Sequence, residues 1–100
     1  MIKSFRSNKL KKFWMKGDAS KVHPGHIDRL DMILTSIEAS HHPKDLKAIF
    51  GNQFDEKKGN AEGVYSIEVN GQWRITFEIE DEGAVVVDYV DYHGKKIKKR

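Results

Sequence analysis

Val64-Tyr65-Ser66-Ile67-Glu68-Val69-Asn70-Gly71-Gln72-Trp73-Arg74-Ile75-Thr76-Phe77 is the stretch that decides the fold. On each side of an Asn-Gly pair, apolar side chains recur at every second position, the period of a strand with one buried face. Asn70-Gly71 marks a tight hairpin, because both residue types tolerate positive φ. Strands are therefore expected over 64–70 and 72–79. Trp73, Ile75, Phe77 and Tyr65 fall on apolar faces and read as core. Arg74 and Thr76 take the other face, the open side of the sheet. By the same alternation Glu68 lies with Ser66 and Asn70, so it projects onto the surface that carries Arg74.

Working outward, Ala84–Tyr92 reads as a third strand, joined to the second by Asp81-Glu82-Gly83. Upstream, Ile2–Phe5 alternates and predicts a short strand at the start of a sheet. Ser7 or Asn8 can cap a helix with Leu10, Phe13 and Trp14 on one side, and Gly17 is placed to end it. Pro24 suits the first turn of a second helix, in which Ile27, Leu30, Ile33, Leu34 and Ile37 keep spacings of three and four. Residues 39–63 lack a sustained period and predict an irregular crossing segment, with one short helical turn around Leu46, Ile49 and Phe50. The expected architecture is α+β: a twisted antiparallel β-sheet with two N-terminal α-helices packed on one face.

One hundred residues make one domain. With 38% hydrophobic and 33% charged residues, the composition is that of a soluble folded chain rather than a disordered one. The longest apolar run is Ala84–Val87, too short for a membrane span, and the first residues lack the apolar stretch of a secretory signal. No membrane association and a cytoplasmic location are expected. The absence of cysteine excludes disulfides and thiolate metal sites. The net charge of +3 comes from the C-terminus, where Lys95, Lys96, Lys98, Lys99 and Arg100 are five of the last six residues. Residues 1–94 are slightly acidic without them, and residues 95–100 read as a separate basic tail suited to a polyanion such as nucleic acid.

The last strand ends in groups that move protons. Tyr89, Asp91 and His93 share one face by alternation, and Asp88, Val90 and Tyr92 the other. Histidine titrates near neutrality and can take and return a proton, and a nearby Asp can orient it. Arginine suits a phosphate whose charge grows in a transition state. Together they fit metal-free RNA cleavage, in which a 2′-hydroxyl attacks the adjacent phosphate. His23 and His26 are spaced like helical metal ligands, but no cysteine or carboxylate partner completes a set, so no metal site is assigned.

The stretch Gly51–Gly59, Gly63 with the run Val64–Phe77 quoted above, and Val90-Asp91-Tyr92-His93 together resemble the HigB-like branch of the RelE superfamily of bacterial toxins. The opening Met1–Phe5 and the helix pair are similar too, so the resemblance reaches nearly to His93. It implies a RelE-like, microbial RNase-like fold over residues 1–94. It also implies a toxin of a type II toxin–antitoxin pair that cuts mRNA in the ribosomal A site without metal or cofactor. Arg74 would hold the scissile phosphate, His93 would act as general acid or base, and Asp91 and Tyr92 would support it. Lys57, Lys58 and Asn70 would meet RNA, with Lys95 and Lys96 of the tail beside them. The implied partners are a helix-turn-helix, HigA-like antitoxin and the 70S ribosome with its mRNA, with operator DNA reached only through the antitoxin. Two positions depart from the branch: Ala61 and Glu68 stand where relatives usually carry a basic residue. A cation removed from the phosphate-binding face weakens RNA binding. The competing reading is a protein of the same fold that binds antitoxin or ribosome without cutting.

Overall fold

Residues that face each other across a two-residue hairpin loop pair an odd-numbered position with an even-numbered one. The apolar positions of the central hairpin are all odd: Tyr65, Ile67, Val69, Trp73, Ile75 and Phe77. The strands must slip by one residue, or the whole apolar set of one of them would turn outward. In the computed structural model, which describes residues 1–59 and 62–91, the slip is a β-bulge. Strand β2 (Val64–Asn70) pairs Asn70 with Trp73 of β3 (Trp73–Glu80), skips Val69, and resumes with Glu68 opposite Arg74 and Ile67 opposite Ile75. The loop is Gly71-Gln72 rather than the expected Asn70-Gly71. Gly71 alone needs the left-handed region, at φ 56°, which leaves Asn70 free to extend the strand.

The second hairpin repeats the device. Asp81 and Glu82, at φ 49° and 64°, form its two-residue loop, and Gly83 opens strand β4 (Gly83–Asp91) opposite Glu80 instead of belonging to the turn. A second bulge lies between the Glu78–Val85 and Thr76–Asp88 pairs and brings Ile75 opposite Tyr89. Val86 within it takes φ 48°, a costly conformation for a β-branched residue. Its N–H donates to Ser4 Oγ at 2.8 Å, which ties the strained residue to the N-terminal segment.

That segment departs from expectation. Ile2–Phe5 makes two isolated parallel bridges, Ile2 to Ala84 and Phe5 to Val87, along the outer edge of β4. It covers the edge without becoming a strand of the antiparallel ladder. The opposite edge is β1 (Phe54–Glu56), in a region expected to be irregular, and the sheet order is β1-β2-β3-β4.

Three helices contribute to the core, one more than predicted. Helix α1 (Asn8–Lys16) is capped by Ser7, whose Oγ accepts from the Leu10 N–H at 3.1 Å, and it ends at Gly17 with φ 69°. Helix α2 (Ile27–Ala39) follows a 3₁₀ turn over Pro24–His26 and buries Leu30, Ile33, Leu34 and Ile37. Helix α3 (Pro43–Phe50) is a full eight residues, started by Pro43 and anchored by buried Leu46 and Phe50. These side chains, Leu10 and the odd-numbered Ile67, Val69, Ile75, Phe77 and Val87 form one apolar cluster. No helix among the described residues is long and apolar enough to cross a membrane.

Candidate active site

The side of the sheet turned away from that cluster is made of the even positions of β2 and β3, of Asp88 and Val90 of β4 and, before the β4 bulge, of Val85. Cross-strand register arranges it in rows: Glu68, Arg74 and Val90 in one, then Asp55, Ser66, Thr76 and Asp88, then Val64, Glu78 and Val85. The sequence predicts this to be the open side. Its centre is covered instead: Ser66, Thr76 and Glu78 are buried, and the Arg74 side chain is 23% exposed. The hydroxyl side chains lie in the row between that of Glu68 and Arg74 and that of Val64, Glu78 and Val85. Ser66 Oγ has no hydrogen-bond partner among the described residues. Burying a hydroxyl in that way costs about 1–3 kcal/mol.

Arg74 is held by its cross-strand neighbour. One guanidinium N–H donates to Glu68 Oε1 at 3.3 Å. Glu68 is itself fixed from the helix layer, because Arg29 of α2 donates from Nε and NH2 to the Glu68 carbonyl at 3.2 and 3.0 Å. Arg29 also donates to Gln53 Oε1 at 2.7 Å and lies over the Phe50 ring. The bulge that aligns the apolar faces is thus clamped at the residue that meets Arg74.

The other predicted site residues are distributed as follows. Asn70 is exposed at the hairpin corner beside Trp73 and Arg74. Lys57 donates to Asp55 Oδ2 at 2.8 Å, with its side chain only 16% exposed. Lys58 is exposed and borders a groove of about 490 Å³ between α3 and β1. Its walls include Lys44, Lys47, Phe54 and Tyr65. Asp91 lies opposite Trp73, and Val90 opposite Arg74. Arg74 and Asp91 therefore occupy one end of the β3–β4 ribbon and leave it on opposite faces. Tyr92, His93, Lys95, Lys96 and Ala61 lie outside the described residues.

Behind that end is a ring cluster that sequence reasoning missed. His26 is buried, and its Nδ1 lies 2.6 Å from the Tyr89 hydroxyl, which also accepts from the His23 N–H at 3.4 Å. Trp73 and Tyr89 have ring centroids 4.7 Å apart, and His23 stacks on His26 at the same separation. Burial, aided by His23, pushes the His26 pKa below the ordinary histidine value, and burial pushes the Tyr89 phenol up. The pair fixes β4 two residues before Asp91. In sequence, His23 and His26 offered only a ligand-like spacing, and nothing local linked them to Tyr89.

The family described as the RelE-like toxin of the type II toxin–antitoxin system HigB matches residues 3–93. The chain belongs to the HigB-like toxins. It is 36% identical over 94 residues to the Endoribonuclease HigB of Proteus vulgaris, a match that covers 93% of this chain and all of that protein. It is 31% identical over 94 residues to the Toxin HigB-1 of Vibrio cholerae, covering 93% of this chain and 98% of that one. A four-stranded antiparallel sheet with three helices is the α+β fold of such a HigB-like toxin.

Proposed function

We propose that this HigB-like toxin is an endoribonuclease that cuts mRNA on the ribosome and so stops translation. The observation that carries the reading is the partly buried Arg74 guanidinium, set among hydroxyl and carboxylate side chains on the face away from the core. A relative of nearly equal length named as an endoribonuclease supports it. In the proposed reaction the 2′-hydroxyl of one nucleotide attacks the adjacent phosphate. The 5′-oxygen of the next nucleotide leaves, and a cyclic phosphate remains. Arg74 binds the phosphate oxygens as their charge grows. His93 transfers the proton as acid or base, with Tyr92 supporting it and Asp91 acting from the strand end on the face opposite Arg74, and no metal or cofactor takes part. Lys57, Lys58 and Asn70, with Lys95 and Lys96 of a basic tail over 95–100, meet the RNA backbone. The partners are the ribosomal A site, mRNA and a HigA-like helix-turn-helix antitoxin, through which alone the toxin reaches operator DNA. The setting is the cytoplasm.

A second reading has its own observation. Glu68 neutralises Arg74 at 3.3 Å, which favours a protein that binds antitoxin or ribosome without cutting. Induction in a bacterium with mapping of mRNA 5′ ends separates the two. Cuts that depend on translation and vanish in both Arg74→Ala and His93→Ala support catalysis. Growth arrest without new ends supports binding alone.

A further inference from the structure

Glu68 and Arg74 face each other directly across β2 and β3. Their ion pair is partly shielded, with side chains 35% and 23% exposed. Such shielding makes the pair stronger than a fully exposed one. The pair is also not a chance meeting of two mobile side chains. The Glu68 backbone is pinned at the bulge by two N–H donors of Arg29, and Arg29 is braced by Gln53 and Phe50. A carboxylate is thus presented, from a fixed backbone position, to the guanidinium that an anionic ligand would use. The next row adds Asp55 and Asp88 on the same face. A phosphate approaching Arg74 meets a site already filled by a competing anion.

From this geometry we infer that Glu68 is the selectivity-determining residue of the Arg74 site: its carboxylate acts as a built-in competitor that an RNA phosphate must displace. The inference rests on the reading of Arg74 as a phosphate-binding residue. Its consequence is discrimination by context. A loose RNA strand gains little at Arg74, because one anion leaves as another arrives. A strand already held by further contacts supplies its phosphate at high local concentration and completes the exchange. The salt dependence follows from the same exchange. When the phosphate replaces Glu68 on Arg74, the net charge at the guanidinium does not change, and that contact adds little to counterion release.

The test uses a short 2′-O-methyl oligoribonucleotide, which has no 2′-hydroxyl to react, and measures its affinity for the full chain across a salt series. Arg74 side-chain N–H resonances report the exchange directly, even where binding is weak. Glu68→Gln removes the charge and keeps the shape. It is expected to raise affinity about tenfold at low salt and to steepen the log–log salt slope by about 0.7, the value for one added single-strand phosphate contact. Glu68→Asp, which keeps the charge, is expected to retain the shallow slope, and Glu68→Gln combined with Arg74→Gln is expected to lose the gain. Glu68→Thr, neutral and suited to a strand, carries the same test if the Gln variant melts early. An unchanged affinity and slope in the neutral Glu68 variants, with Arg74→Gln still weakening binding, would overturn the role of Glu68 and leave Arg74 as the phosphate site. No effect of Arg74→Gln on binding or on those resonances would remove the Arg74 reading itself, and this inference with it.

Discussion

The two faces of the β2–β4 sheet are built by alternate residues of the same strands, yet they obey different rules. Ile67, Ile75, Phe77 and Val87 on the helix side are almost fully buried in one apolar cluster. Ser66, Thr76 and Glu78 on the other side are also buried, with Val64 and Val85 at one end, and one of these hydroxyls has no partner among the described residues. Burial on the first face lowers the free energy of the fold. On the second, burying the partnerless Ser66 hydroxyl costs free energy, and that residue lies in the row next to the Arg74 guanidinium. A polar residue that raises the cost of folding beside a charged group is better explained by binding than by packing.

Neighbouring residues on β3 give the sharpest way to break that contrast. Ile75→Ala is expected to destabilise the protein by about 2–5 kcal/mol, because it opens a void in the helix-side cluster. Denaturant melts measure this, and the activity of the remaining folded protein should be unchanged. Arg74→Ala should do the reverse. Cleavage in a translation assay is expected to fall by about a hundredfold or more, the usual result of removing one transition-state donor, with a smaller shift in the melting midpoint than Ile75→Ala gives. Comparable stability losses in both variants would erase the distinction between the faces.

Smaller effects belong to the ring cluster behind the strand end. Tyr89→Phe removes the hydroxyl that pairs with buried His26 Nδ1, and is expected to cost about 1–2 kcal/mol by thermal or chemical melting. A pH effect follows from the same pair. His26 has a folded pKa below its unfolded value of about 6.5. The unfolded chain therefore binds the proton more tightly, and stability is full above about pH 6.5. It declines as the pH falls through that value toward the lowered folded pKa. Melting midpoints recorded between about pH 5 and 7 should show this decline, and His26→Gln should flatten it. A melting midpoint that rises on acidification would contradict the assignment.

Much of the fold is readable in the chain because it depends on short-range periodicity. The alternation around Asn70-Gly71 and the three-and-four spacing from Ile27 to Ile37 predict β2, β3 and α2 with small errors at the ends. Ser7 and Gly17 mark α1. Strand β1 has three residues, too few to show a period, and α3 reads only as a turn because it has only Leu46, Ile49 and Phe50 to display. Register is the larger loss. Taking Asn70-Gly71 as the loop pairs Glu68 with Trp73, whereas the shifted loop and the bulge at Val69 pair it with Arg74. The all-odd numbering of the apolar residues holds the clue, since a two-residue loop cannot align them without a slip.

The sequence alone determined which residues alternate, where α1 begins, and which family the chain resembles. These depend on spacing along one strand or one helix. Only the tertiary structure decided that Glu68 grips Arg74, that Asp91 leaves the ribbon on the other side, that Ser4 holds the strained Val86, and that His26 lies under Tyr89. Each of these joins positions far apart in the chain or on different strands. Their geometry is set by bulges and by packing between layers, which local composition does not encode.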